Sequence, residues 1–334
     1  MTDHALKYNK AFDELTDEEK KLLEINKKSI ADFVEQSSSL SDVPYATRNA
    51  HAKTYVVTPG KFIIHKDIPD ELKPFFDKDE FDLLIRFSNA HLKIEKNKRD
   101  IPTYGFSVKV MDENHNTIAN YPLVNFPLFP INSVSAFLKI FTSINRLFIK
   151  KWSSLFPLII QLLKASPSFF ILSFLKNIFQ FIRKRKDFIL SFDYFSIGVY
   201  RLGENMIKIR LRPISVNKNF EKNMDVKEAM KKYFMSNDYR AEVFIQICYN
   251  IKDQPINQLN VEWKNSPYIK IGEIKIEKNS LLNPNLCENE MLSFNPFESK
   301  PFFQPVGKIQ KLRNETYKIS MQTRLKINKL LKYK

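Results

Sequence analysis

Two periodicities divide the chain. Near the start, Leu22, Leu23, Ile25, Ile30 and Phe33 recur at roughly helical spacing behind Thr16-Asp-Glu-Glu19. That tetrapeptide reads as a capping box, with Thr16 as N-cap and Glu19 at N3. Ser37-Ser-Ser-Leu-Ser-Asp42 reads as a linker, so residues 1–45 form a polar, helical leader. From 46 to 131 the period shortens to that of strands. Residues 54–57 and 61–64 are β-rich and flank Thr58-Pro59-Gly60, which predicts a hairpin; 82–88, 104–110 and 117–120 add further strands. Residues 133–190 return to a helical, strongly amphipathic pattern, with interruptions expected at Pro157 and Pro167. Strand texture resumes at 195–212, 241–251, 258–263 and 268–278, with a helix near 223–236, and the tail from Val306 reads as a basic helix. No internal repeat is visible. Strands in two blocks, bracketed and interrupted by helices, indicate an α+β chain built round an antiparallel sheet or barrel.

Composition changes that picture in two places. The chain has 334 residues, 43% of them apolar, which suffices for a sizeable core and excludes global disorder. Its net charge of +16 predicts attraction to acidic partners such as anionic lipid or nucleic acid. A plainer origin competes: Lys, Ile, Asn and Phe are abundant while Gly occurs six times, which looks like chain-wide compositional drift. The basic residues are spread out, and no helix-turn-helix, zinc-finger or RNA-recognition signature is readable, which argues against nucleic acid. Cys248 and Cys287 cannot build a disulfide framework, and the start lacks an apolar signal core. A reducing, cytoplasmic setting follows as the expectation.

The candidate chemistry lies at the two ends. Arg313, Tyr317 and Arg324 are separated by four and seven residues, so on a helix they fall within about 40° of one another. Positive charge on both sides of a phenol stabilises its ionised form, which makes an anionic ligand; the plain alternative is a surface tyrosine on a basic helix. Toward the front, His51 follows Arg48 at the head of a strand, and Arg86 and Ser88, two apart on another, share one face. Together they could orient an imidazole and bind a carboxylate.

These fragments resemble haem catalases. Arg48-Asn-Ala-His51-Ala-Lys53 is similar to R-x-x-H-A-K and Arg86-Phe-Ser88 to R-F-S. Arg99-Asp100 with Gly105-Phe-Ser-Val-Lys109 is similar to R-D…G-F-A-V-K, and Asn125-Phe-Pro127-Leu-Phe129 to N-x-P-x-F. Arg313-x-x-x-Tyr317-x6-Arg324 matches the spacing round the proximal tyrosine. The resemblance covers 46–131 closely and 195–325 more loosely, where Tyr200-Arg-Leu-Gly203, Arg212-Pro213 and Val261-Glu-Trp263 look like short catalase-related, haem-binding proteins. Thr54 stands where the family has Gly, Asn314-Glu-Thr316 lacks an aromatic, and Pro130 replaces one.

The resemblance implies an antiparallel catalase-like β-barrel with surrounding helices, comprising 46–334, with 133–192 as a helical insertion. It implies haem b as cofactor and a peroxidase or catalase-like oxidoreductase acting on hydrogen peroxide or on organic, lipid-derived hydroperoxides. Carried over residue by residue, Tyr317 would ligate the iron, and Arg313 would hold its proton off. Arg48, Arg86 and Arg324 would pair with the propionates, and Phe129 would line the cofactor pocket. His51 would act as distal acid/base, Ser88 would orient it, and Asn125 would hydrogen-bond the peroxide. A haem carrier or sensor with little turnover is the alternative. A hydroperoxide-rearranging enzyme of the allene oxide synthase kind should carry threonine before the distal histidine, where this chain has Ala50. The resemblance leaves room for a homo-oligomer.

Residues 135–192 interleave Phe, Leu, Ile and Trp with Lys and Arg, including Lys150-Lys-Trp152 and Arg183-Lys-Arg-Lys186. An interfacial helical pair on an anionic membrane is one reading, which would add peripheral membrane association. A helical layer over the barrel wall is the other. The apolar run after Ser153 ends at Lys164, too short to span a bilayer.

Overall fold

The computed structural model describes residues 4–95, 100–170, 172–282 and 286–331. Its strands are β1 (Thr54–Ile64), β2 (Glu80–Asn89), β3 (Tyr104–Met111), β4 (Thr117–Val124), β5 (Tyr194–Phe195), β6 (Val199–Leu202), β7 (Asn205–Pro213), β8 (Tyr239–Ile247), β9 (Ile269–Ile276) and β10 (Pro305–Val306). Its helices are α1 (Asp17–Leu40), α2 (Val134–Phe148), α3 (Leu155–Ala165), α4 (Leu172–Lys184), α5 (Val226–Ser236), α6 (Leu286–Met291) and α7 (Lys308–Leu331). Strands β1 to β5 pair in sequence order, β5 pairs with β7, β7 with β8, β8 with β9, and β9 returns to β1. Every pairing is antiparallel, and the eight strands close into a barrel, which leaves that sheet without a free edge.

Alternation fills the barrel. Leu83, Ile85 and Phe87 of β2 point inward, as do Phe106 and Val108 of β3. Phe87 lies 4.4 Å from Phe106, and Tyr194 and Tyr239 meet these rings edge-on. At the start of β2 the opposite face is open to solvent, but from Arg86 onward both faces are buried. A strand buried on both faces needs a second layer over its outer wall. Here that layer is α7 with the 286–303 segment: Ser299 Oγ accepts from the Asn120 amide, and the Asn295 carbonyl from its side chain. Helix α1 packs on α2 and α7, with Ile30 and Val34 against Ile319 and Ile327.

The capping box at Thr16 is present in both directions. Other local expectations change. The hairpin at Thr58-Pro59-Gly60 is absent: β1 runs through it, with Pro59 opposite Leu84. Pro59 faces away from β2, ahead of the β9 ladder that starts at Lys61, so its missing N–H breaks no ladder bond. The Ser37–Ser39 stretch is the last turn of α1, where Ser37 and Ser39 hydroxyls bond back to the carbonyls of Val34 and Gln36. Pro157 sits in the first turn of α3, where an N–H has no intrahelical partner, and does not interrupt it. Residues 258–263 form a loop instead of a strand, its amides at Leu259 and Asn260 satisfied by the Asn132 side chain.

Candidate active site

The outer wall of the barrel carries an unusual surface. Arg86, Ser88, Ser107 and Asn120 point outward from β2, β3 and β4, and all are buried. The helix that covers them is equally atypical. Gln310, Ser320, Arg324 and Asn328 of α7 are buried, on the same stripe as Arg313 and Tyr317. An ordinary amphipathic helix buries its apolar stripe; α7 also buries a polar one. Two polar faces brought together out of water need dense hydrogen bonding, and most of this layer has it.

On the barrel side, the strand register sets the geometry. Thr54 of β1 and Gly105 of β3 both lie opposite Ser88 of β2. His51 precedes β1 in a left-handed conformation, φ +50°, which is strained for a residue with a Cβ. Three contacts hold it there. Arg86 Nη2 donates to the His51 carbonyl at 2.6 Å, His51 Nδ1 meets Ser88 Oγ at 3.2 Å, and the Ala52 amide bonds to the His91 carbonyl. Gly105 supplies the room. A Cβ on it would stand 2.6 Å from Ser88 Oγ and 2.7 Å from His51 Nδ1. The lysine and aspartate of two separate sequence fragments also meet: Lys53 Nζ pairs with Asp100 at 2.8 Å, and Tyr55 donates to the same carboxylate. Arg99, quoted beside Asp100, lies outside the described residues.

On the helix side, Arg313 Nη2 donates to the Tyr317 oxygen at 2.9 Å and Nη1 to Gln310 Oε1. Arg313 is held above its ordinary value: burial works against this and is outweighed by the Tyr317 and Tyr200 oxygens. The Tyr200 hydroxyl and Gln310 Nε2, close by and buried, make no well-aligned hydrogen bond among the described residues, although Tyr200 lies near both Gln310 and Arg313. Asn328 clamps both the amide and the carbonyl of Ala46, which docks the 44–53 loop, and hence Arg48 and His51, onto α7.

The two sides share one electrostatic neighbourhood. Burial pushes the His51 imidazole down to about 3, helped by the positive charges of Arg86, Arg313 and Arg48, so it is neutral at physiological pH. Arg86 falls well below its ordinary value, through burial and then repulsion from Arg48, and Arg324 falls to about 9 for the same reasons. Glu290 of α6 is the carboxylate in direct contact with this group. It accepts from Arg48 Nε at 3.1 Å and lies 3.8 Å from Arg324 Nε. Burial would raise Glu290, but the Arg48, Arg324 and Arg86 charges hold it below the usual carboxylate value.

All the residues singled out from the sequence can now be located. His51, Ser88, Arg48, Arg86, Arg313, Tyr317 and Arg324 belong to this polar layer. Asn125 is adjacent, but its carboxamide is committed to backbone: Oδ1 accepts from the Tyr104 amide and Nδ2 donates to the Pro102 carbonyl. Phe129 lies elsewhere, against Phe137 of α2 and the cluster containing Leu138, Leu259 and Ile309. Four contributors escaped sequence reasoning. Thr54, seen only as a departure from glycine, accepts from Arg86 Nε at 2.9 Å. Glu290 carries no spacing signal. Gln310 and Asn328 were findable, since seven and eleven residues from Tyr317 place each within about 20° of it on a helix.

The layer fits haem b on two counts. Three guanidiniums face one directly paired carboxylate, a positive excess that suits a dianionic group and that bidentate arginine recognises well. Buried polar atoms without a well-aligned hydrogen bond, Tyr200 Oη and Gln310 Nε2, flank Arg313 and Tyr317.

No protein-family model matches the chain, and no curated protein does. Solved structures do. A fungal catalase is similar with a TM-score of 0.58 at 17% identity, over 84% of this chain and 59% of that one. Catalase A from Saccharomyces cerevisiae gives 0.56 at 17%, over 84% and 62%, and a bacterial catalase 0.55 at 14%, over 84% and 57%. The chain thus spans about three-fifths of the length of these catalases. At such identities the likeness concerns the backbone, and what it establishes is that this chain has a catalase-like fold, a closed antiparallel barrel with its helices packed around it.

Proposed function

We propose that the chain is a haem-dependent oxidoreductase acting on hydrogen peroxide or an organic hydroperoxide. The observation that carries this reading is the buried polar layer. In it an imidazole fixed by Ser88 and a phenol fixed by Arg313 belong to the same group of arginines. Haem b, when bound, supplies the iron centre and the oxidising chemistry. Tyr317 would hold the iron through its oxygen, to which Arg313 donates. Arg48, Arg86 and Arg324 would hold the two propionates.

His51 does the proton work. With its Nδ1–H donated to Ser88 Oγ, the neutral imidazole would have Nε2 free to accept the proton of one peroxide oxygen and return it to the other as that oxygen leaves. A pKa well below 7 keeps the ring in the accepting form. Arg86 positions the ring through the His51 carbonyl, and Thr54 positions Arg86 in turn.

One observation favours a second reading, a haem-binding protein with little turnover. Asn125 spends its carboxamide on the Pro102–Tyr104 backbone, so it offers peroxide no hydrogen bond in this conformation. Rearrangement of fatty-acid hydroperoxides has less support, since Ala50 replaces the threonine it calls for. The haem-loaded full chain should be given hydrogen peroxide and a panel of organic hydroperoxides, with oxygen release, donor oxidation and products followed. Consumption that disappears in His51→Ala, with the haem spectrum retained, is the expected result. Equal consumption in that variant removes His51 from the mechanism, and no consumption by the parent chain leaves the carrier reading.

A further inference from the structure

Helix α3 is turned the wrong way round for a soluble covering layer, and α4 extends the apolar surface that it exposes. On α3, Leu155, Phe156, Ile159, Leu162 and Leu163 recur at helical spacing, which is the pattern of a stripe made to be buried. All five are exposed, Phe156 at 72%, while the opposite side of the helix puts Leu158 against Ile131 and Ile140. The 3-10 turn that follows adds Phe170, and α4 adds Leu172 and Phe179, with Leu172 82% exposed. Trp152, just before α3, is 71% exposed. The inner side of α4 is firmly seated: Phe174 and Phe181 meet Phe126 edge-on, and Asn177 bonds to Glu262. The outward apolar face therefore belongs to a docked element and not to a helix that has come loose. Patches of this kind on a soluble surface mark interaction sites.

Charge identifies the occupant. Between positions 135 and 186 the sequence has ten Lys and Arg and no Asp or Glu. The cations Lys164, Lys176 and Arg183-Lys-Arg-Lys186 border the apolar residues, the arrangement of an interfacial helix with aliphatics and rings in the acyl boundary and cations among headgroups. A second copy of the chain would bring the same strongly positive face against itself. Among the described residues no helix is long and apolar enough to cross a membrane, so the surface would be engaged from one side. We infer that the outer faces of α3 and α4, with Trp152 and Phe170, form a docking surface for an anionic lipid bilayer.

The reporter is built in. Of two tryptophans, Trp152 is exposed and Trp263 is 7% exposed, so insertion of this face moves one indole from water to the acyl boundary and leaves the other alone. The full chain should be mixed with vesicles of phosphatidylcholine alone and of phosphatidylcholine with phosphatidylserine, at low and high salt. Tryptophan emission should shift to the blue, and the chain should sediment with the phosphatidylserine vesicles, less so at high salt. Trp152→Phe should remove the shift. Phe156→Ser, Leu163→Ser and Phe179→Ser together, all exposed and so expected to leave the melting temperature unchanged, should lower vesicle partitioning about 100-fold. Absence of sedimentation and shift overturns the inference, as does undiminished binding by the triple variant. A chain that ignores vesicles yet halves its mass in solution on triple substitution would instead have covered this face with a second copy.

Discussion

Replacing Gly105 with alanine is the sharpest perturbation of the His51 geometry. The new Cβ would lie 2.6 Å from Ser88 Oγ and 2.7 Å from His51 Nδ1, against about 3.4 Å for an ordinary contact, so each neighbour must retreat by roughly 0.7–0.8 Å. Neither is the loose end of a flexible chain. Ser88 is held between Thr54 of β1 and Gly105 of β3 near the end of both ladders, and the His51 carbonyl is held by Arg86. The hydroxyl can rotate away only by giving up its bond to the imidazole. Overpacking of this kind costs about 1–3 kcal/mol, and a lost hydrogen bond with a partly buried partner about 1 more. Gly105 has ordinary extended backbone, so alanine's lower unfolded-state entropy returns about 0.5–1. A net loss of about 1–3.5 kcal/mol follows, readable in urea unfolding. The same displacement should release His51 toward solvent, so its titration, followed by imidazole proton NMR, should move up toward its ordinary value. Ser88→Ala removes one of the two clashing atoms, so the double variant should be less destabilised than the sum of the single ones. Additive losses, or Gly105→Ala with unchanged stability and unchanged His51 titration, would refute this account of the wall.

Two further outcomes follow from the charges. His51 lies far below its unfolded value of about 6.5, so it contributes stability in full above that pH and loses it as pH falls toward 3. The ring keeps some exposure, which reduces the contribution to about 2–3 kcal/mol. The drop in stability between pH 7 and pH 4 should shrink by that amount in His51→Gln, and an unchanged drop would contradict the assignment. Glu290→Gln removes the carboxylate shared by Arg48 and Arg324 and should cost about 3–5 kcal/mol in urea unfolding, far more than a surface ion pair.

The fold was legible where one face of a strand meets the core and the other meets water. The front strands, the helix preceding β8 and the capping box at Thr16 follow from that pattern. It misled at Pro59, because proline's usual turn preference gives way when its nitrogen faces an unpaired side of the strand. It misled again at 258–263, where the Asn132 side chain, not a ladder, satisfies the backbone. The site was legible to the extent that its residues lie close in sequence. Arg86 with Ser88, and Arg313 with Tyr317, follow from local periodicity. Glu290 did not, because its partner Arg48 is 242 residues away and only the closed barrel brings them together. The use of Asn125 for backbone support was equally hidden, since a carboxamide bonds as well to a chain as to a ligand.

The most direct test of the central claim is the absorption spectrum of the full chain titrated with ferric haem, beside Tyr317→Phe. A stoichiometric complex with the spectrum of tyrosinate-ligated ferric iron, lost in Tyr317→Phe while the variant's fold persists by circular dichroism, is the expected result. Failure to bind haem, or an identical spectrum from the variant, would mean that the buried polar layer serves something other than haem held by Tyr317.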